Sequence, residues 1–211
     1  MALERHFCYN IMMNYDNFIW DLGGTLLDNY ESSSHAFAAT LWDLTETVIL
    51  HDEAYQALKI STDFAIHKFA ENVPGFLTEY KQLEAQALEH PVLFDGAIKT
   101  LSEIVKSDRK NFMISHRNNQ VCQILKDAKI YDYFTDIITS DSGFPRKPEP
   151  NSIQYLLEKY DMNPGKTVMI GDRDLDIQAG KNAGVKTIFF APNGEKNEAA
   201  DQIIQRLEDL I

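Results

Sequence analysis

Five short apolar runs, each set apart by a helical pattern, constrain what this chain can fold into. They are FIW (18–20), NFMIS (111–115), DIITS (136–140), TVMIG (167–171) and KTIFF (186–190). Each is rich in β-branched or aromatic residues and bounded by turn residues, the pattern of a buried strand. Among them, AIKTLSEIVKS (97–107), NQVCQILKDA (119–128), PNSIQYLLEKYD (150–161) and DIQAGKNAG (176–184) repeat apolar residues at three- and four-residue spacing, as one helix face requires. Pro150 and Asn118 suit helix starts, and Gly184 suits a helix end. Such alternation predicts an α/β fold: a Rossmann-like parallel sheet with helices on both faces.

One interval breaks the rhythm. From Glu31 to His90 no strand pattern occurs, but SSHAFAATLWDLTETVI, EAYQALKISTDFAIHKFA and GFLTEYKQLEAQALEH are amphipathic. About sixty residues is too long for a loop. The interval reads as a small all-helical cap, 29–91, inserted after the first strand of a core made of 13–28 and 92–211. Residues 1–12 read as a leader or disordered start, with Met12 and Met13 as later natural starts. The tail NEAADQIIQRLEDLI (197–211) is expected to form a last amphipathic helix.

Composition narrows the function classes. Apolar residues make up 44% and charged ones 25%, as in a water-soluble globular chain. No apolar run approaches the ~20 residues that span a bilayer, and the start has no continuous apolar segment of the signal-peptide kind. A formal charge of −12 without a basic block disfavours nucleic acid and anionic membrane as partners. The two cysteines, Cys8 and Cys122, build neither a disulfide framework nor a Cys-based zinc site; Cys122 sits in a helical pattern and is expected in the core. A cytoplasmic location is the expectation.

In open α/β sheets, ligands bind beyond the C-terminal strand ends, near the point where strand order reverses. The polar clusters of this chain lie at such ends. Asp21 follows the first run, Ser115 closes the second, Lys147 lies in the loop after the third, and Asp172 follows the fourth. In this order DLGGTLLD, FMISHRN, RKPEP and GDRDLDIQAGKNAG resemble the four motifs of the haloacid dehalogenase (HAD) superfamily, mostly phosphatases and related hydrolases. The resemblance runs from Asn17 to about Pro192. A lone lysine carries almost no information, but four motifs in order at plausible spacing are specific. The helical interval resembles the type 1 cap of the phosphoglycolate-phosphatase-like branch.

The resemblance implies a Mg²⁺-dependent hydrolase acting on a small phosphorylated metabolite. Asp21 would be the nucleophile, forming an aspartyl-phosphate and splitting one hard step into two. Asp21 and Asp172 would be carboxylate ligands of Mg²⁺, which prefers oxygen and keeps several waters. Asp176, one helical turn on, would join the metal site through a bound water or orient Asp172; it also suits a helix-N-terminal carboxylate. Asp174 is a lesser candidate. Ser115 would donate to the phosphoryl oxygens, and Lys147 would neutralise their growing charge. Gly24 and Thr25 would hold the turn that orients the site and lie close to substrate.

One position departs from the family pattern. Superfamily phosphatases usually carry Asp two residues after the nucleophile, where it protonates the departing alkoxide and then deprotonates the attacking water. Here the residue is Gly23. By the same resemblance its backbone carbonyl still serves the metal, so metal binding is retained while acid/base catalysis is lost. A positioned general acid or base contributes ~10²–10⁴-fold, or roughly 3–5 kcal/mol of barrier at about 1.36 kcal/mol per decade. Poor leaving groups such as sugar alkoxides would feel most of this; acyl or aryl phosphates would feel less. Substitute proton donors are His116, or His35 or His67 in the cap; Arg117 can bind charge but is a poor proton donor. A non-catalytic phosphate-binding or regulatory protein is the rival class. C–P cleavage of the phosphonoacetaldehyde hydrolase kind, with Lys59, Lys68 or Lys81 forming a Schiff base, is a third.

Each residue also has a plainer reading. Asp21 could end a strand as a turn carboxylate, Ser115 could cap a helix, and Lys147 could be a solvated surface lysine. His116 and Arg117 divide evenly between solvent and substrate. His35, His51, His67 and His90 look scattered, and Trp42, Phe64, Phe69 and Phe76 look like cap core. Substrate identity and oligomeric state are not readable.

Overall fold

The computed structural model describes residues 14–87 and 89–211; the expected leader, 1–12, lies outside the described residues. The chain divides into two compact units, one running to Leu26 and resuming at Leu93, the other Leu27–Val92.

The first unit is a six-stranded parallel sheet: β1 (Asn17–Trp20), β2 (Lys110–Ile114), β3 (Phe134–Ile138), β4 (Thr167–Gly171), β5 (Lys186–Phe190) and β6 (Gln202–Ile204). Their spatial order is β3-β2-β1-β4-β5-β6. That is the doubly wound Rossmann order, with its reversal between β1 and β4. The register sets Trp20 beside Met113 on one side and Ile170 on the other, so the strands end nearly level. β1 and β4 are wholly buried, as their near-continuous apolar runs require when both sheet faces are covered.

Period-two alternation divides the two faces. Ile19, Phe112, Ile114 and Met169 pack with Ile153 and Leu156 of α7 (Asn151–Lys159) and Ala179 of α8 (Asp174–Asn182). On the other face Trp20 donates its indole N–H to Asn111, whose amide donates to Leu101 O of α5 (Ala97–Lys106). α6 (Gln120–Asp127) joins β2 to β3, with Val121 and Leu125 buried; Cys122 is only half-buried.

The second unit is helical: α1 (Asn29–Thr45), α2 (His51–Ile60), α3 (Thr62–Phe69) and α4 (Phe76–Ala87). The segment expected as one helix over 53–70 is two, because Ser61 is extended and its hydroxyl caps Phe64 N–H. Phe37, Phe76 and Tyr80 form the centre of this unit's core. Trp42 and Phe64, expected in that core, are instead 50% and 39% exposed. Phe37 and Leu41 set the buried face of α1, and Trp42 projects about 100° away from Leu41.

The tail is the clearest correction. Residues 197–211 form no α-helix. Asn197 Oδ1 accepts the N–H groups of Ala199 and Ala200, closing a turn. The chain then pairs as β6 along β5, Ile188 opposite Gln202 and Phe190 opposite Ile204. A 3₁₀ turn, Leu207–Leu210, buries Leu207 and Leu210. Pairing along an open sheet edge prevails over the helical periodicity. No described helix is long and apolar enough to cross a membrane.

Candidate active site

Four strand ends supply the site, and all of its residues lie in the first unit. Asp21 extends the β1–β4 ladder by one step, its N–H donating to Ile170 O at 2.9 Å. The chain then turns: Leu22 O accepts the Leu26 N–H at 3.0 Å, and Gly24 takes φ 87°. A side chain at residue 24 would be strained there, which accounts for one glycine of the pair. Thr25, fully buried, donates its hydroxyl to Asp172 Oδ1 at 3.3 Å and so ties the turn after β1 to the end of β4.

Lys147 is the hub. Its ammonium lies 2.5 Å from Asp21 Oδ1, 2.6 Å from Asp176 Oδ1 and 3.2 Å from Ile114 O. Burial opposes this charge, but Asp176 and Asp21 outweigh it and hold the Lys147 pKa above the ordinary lysine value. Asp176 is fully buried at the start of α8, and its second oxygen accepts the Arg173 N–H at 3.2 Å. Asp176 thus accepts a backbone N–H at the helix N-terminus with one oxygen and faces the cluster with the other. Gly171 makes this possible, since a Cβ there would lie 2.3 Å from that of Asp176. Burial pushes the Asp176 carboxyl up.

Oxygens of Asp21, Asp172 and Asp176 lie within 4.8 Å of one another, all buried. Three carboxylates gather round one buried ammonium, with the Arg173 charge also acting on Asp176; proteins neutralise such a buried acidic cluster with a cation or a proton. Asp21 Oδ2 is buried and makes no hydrogen bond among the described residues. An all-oxygen set with an unused buried oxygen fits a hard divalent cation such as Mg²⁺. Gly23 is half-buried beside this cluster in sequence and brings no side chain.

Ser115 directly follows β2, its N–H donating to Ile138 O at 2.9 Å; its Oγ accepts the Arg117 N–H at 3.2 Å, which leaves the hydroxyl proton for an anion. His116, which the sequence leaves divided between solvent and substrate, contacts the lysine loop. Its Nε2 accepts the backbone N–H of Lys147 at 2.9 Å. Burial, then the charges of Lys147 and Arg146, lower its pKa to about 3. The ring is neutral at physiological pH with its proton on Nδ1, and it orients the lysine loop. Arg117 uses its carbonyl to accept the Ser140 N–H, pinning the same turn to the end of β3. Asp174 points away, accepting from Asn197 at 2.7 Å. Sequence reasoning missed the Ile114 carbonyl as a partner of Lys147, because a backbone acceptor leaves no mark in residue type. None of the cap lysines is buried: Lys59 is half-exposed, and Lys68 and Lys81 are exposed, the latter paired with Glu84 at 2.7 Å.

Comparison with known proteins bears on this arrangement. A 50% identical solved structure, a hydrolase from Streptococcus pneumoniae TIGR4, covers 85% of this chain and 94% of its own with a TM-score of 0.74. A predicted phosphoglycolate phosphatase from Haemophilus somnus 129pt is 17% identical, with coverage of 94% and 97% and a TM-score of 0.79, and so shares the fold. Pyrophosphatase PpaX of Bacillus mycoides (strain KBAB4) is 27% identical over 207 residues, 94% of this chain and 96% of that protein. The family model for haloacid dehalogenase-like hydrolases matches residues 18–190, from the strand before Asp21 through the last strand beside the site. With that match spanning sheet and carboxylate cluster alike, the chain belongs to the haloacid dehalogenase-like hydrolase family.

Proposed function

We propose that this hydrolase removes phosphoryl groups from a small phosphorylated metabolite in the cytoplasm through an aspartyl-phosphate at Asp21. The observation that carries the reading is the buried contact of Lys147 with both Asp21 and Asp176, with Asp172 in the same cluster. Asp21, Asp172, Asp176 and the Gly23 carbonyl would hold Mg²⁺, which supplies charge neutralisation for phosphoryl transfer.

Asp21 attacks phosphorus as the bond to the leaving oxygen breaks, that oxygen taking the electron pair. Ser115 donates to a phosphoryl oxygen, and Lys147 balances the charge that gathers there. Water then attacks the phosphorus of the acyl phosphate, releasing inorganic phosphate and restoring the carboxylate. Position 23 offers no carboxyl to protonate the leaving oxygen. His116, held neutral with Nε2 occupied, does not replace it. Leaving groups that depart as stable anions are therefore favoured: phosphate from a phosphoanhydride, a carboxylate from an acyl phosphate, a phenolate. The pyrophosphatase name of the Bacillus relative agrees with the first of these.

The test is phosphate release with Mg²⁺ from pyrophosphate, acetyl phosphate, an aryl phosphate and simple alkyl phosphates. Turnover favouring the first three, and lost in Asp21→Asn, supports the reading. Saturable phosphate binding without turnover on any of them would instead identify a binding protein, the reading that Gly23 keeps in view.

A further inference from the structure

The cap unit holds a second cluster of ligating side chains, of a different chemistry. Glu31 and His35 sit one turn apart on α1, and His51 is the first residue of α2. Sequence alone leaves these histidines scattered; folding brings them together. His35 Nε2 lies 3.2 Å from Glu31 Oε1, and His51 Nε2 lies 3.2 Å from Glu31 Oε2. The two imidazole rings are 4.7 Å apart, tilted by 39°. One ligand atom from each of the three residues can be chosen so that all lie within 4.8 Å of one another.

We propose that Glu31, His35 and His51 form a binding site for a divalent transition metal of the Zn²⁺ class, joining the first two helices of the cap. Three features support it. Ligand bonds of about 2.0–2.1 Å at tetrahedral angles place neighbouring donor atoms ~3.4 Å apart, close to both nitrogen–oxygen separations. The opposite edge of the His51 ring faces a carboxylate, with Nδ1 3.3 Å from Asp52 Oδ1. Such an outer contact orients a ligating histidine; the His51 Nε2 also meets Ser34 Oγ at 2.8 Å, a contact the ion would displace. The scaffold is also set before any metal arrives, because Tyr30, Phe37 and Leu41 of α1 share one core with Ala54, Ala57 and Leu58 of α2.

Hydrogen bonding is the alternative: each neutral imidazole can donate an Nε2–H to a different Glu31 oxygen. One metal ion would replace both protons and meet the Glu31 charge. Donor type separates the two centres: the strand-end cluster offers oxygen only and suits Mg²⁺, whereas imidazole nitrogen with one carboxylate suits Zn²⁺, Co²⁺ or Ni²⁺. Exposure of Glu31 and His35 leaves the site open to exchange, with water completing the coordination.

The test uses the untagged full chain, labelled with ¹⁵N-histidine, titrated with Zn²⁺ in excess Mg²⁺. The expected result is that two histidine Nε2 resonances move together and saturate at one equivalent. Assignment by His35→Ala and His51→Ala should identify the two rings. Zn²⁺ affinity in the double variant should fall by at least tenfold, with an unchanged helical circular dichroism spectrum. Unmoved Nε2 resonances of His35 and His51 at saturating Zn²⁺ would overturn the proposal. So would tight binding that persists in the double variant, which would place the ion elsewhere. The wild-type spectrum decides the matter even where a variant fails to fold.

Discussion

Lys147 Nζ lies 2.5 Å from Asp21 Oδ1 across 126 residues of sequence, with both side chains at most 4% exposed. Removing one partner of such a contact leaves an uncompensated buried charge, which costs about 3–5 kcal/mol. Lys147→Met should lower stability by about that much at neutral pH. The deficit should shrink as Mg²⁺ is added or as acid protonates the carboxylates. Chemical denaturation with and without Mg²⁺ checks it; a stability unchanged in metal-free buffer would mean the carboxylates are not all ionised beside the lysine. Phosphate release should be lost in the same variant.

Gly23→Asp places a carboxyl where the resemblance to superfamily phosphatases leads one to expect it. Alkyl phosphate hydrolysis should rise by up to ~10²–10⁴-fold, while pyrophosphate and acetyl phosphate rates should change far less. The quantity to compare is kcat/KM across leaving groups of graded acidity. A parallel gain on every substrate would argue against a missing proton donor. At Gly24, the neighbour at φ 87°, the same replacement would strain the backbone.

His116 links the lysine loop to pH. Its pKa falls to about 3 in the fold, below the ordinary 6.5. Between those values the unfolded chain binds a proton that the native chain refuses, so this residue's contribution to stability is complete above pH 6.5 and declines as pH falls towards 3. His116→Gln, which keeps an acceptor near the Lys147 N–H, should flatten that slope and retain phosphate release. His116→Leu should flatten it too, but cost about 1–3 kcal/mol by leaving that N–H unpaired. Urea midpoints measured from pH 4 to 8 distinguish the three proteins.

Gly171→Ala tests the notch that admits Asp176. The added methyl would sit 2.3 Å from Asp176 Cβ, so the helix start or the carboxylate must move. A loss of about 1–3 kcal/mol is expected from overpacking, together with weaker Mg²⁺ binding by calorimetry. Undiminished metal affinity in the folded variant would remove Asp176 from the proposed ligand set.

The sheet and its site were readable for a common reason: strands buried on both faces leave apolar runs, and the residues that follow them converge. TVMIG and KTIFF match β4 and β5 residue for residue, and Asp21, Asp172 and Lys147 follow from the strand ends. Three features were not readable. Residues 197–211 have helical spacing, but the open edge of β5 takes Ile204 as a strand residue. His116 has the same residue type whether it meets substrate or a backbone N–H, and only the fold shows Lys147 N 2.9 Å away. His35 and His51 are separated by sixteen positions and a loop, and no helical period relates them; their approach depends on how α1 packs on α2.

The strand at Gln202–Ile204 has a consequence for how copies of this protein avoid sticking together. It replaces apolar β5 with a three-residue strand as the outer edge on one flank; the other open border is β3. That border carries Asp136, engaged by Lys159 at 2.8 Å and by the Tyr160 hydroxyl at 3.1 Å. A charged, side-chain-covered rim is a poor template for an incoming strand. Clipping the chain before Gln202 would uncover the backbone of Ile188 to Phe190 and turn a guarded sheet into an adhesive one.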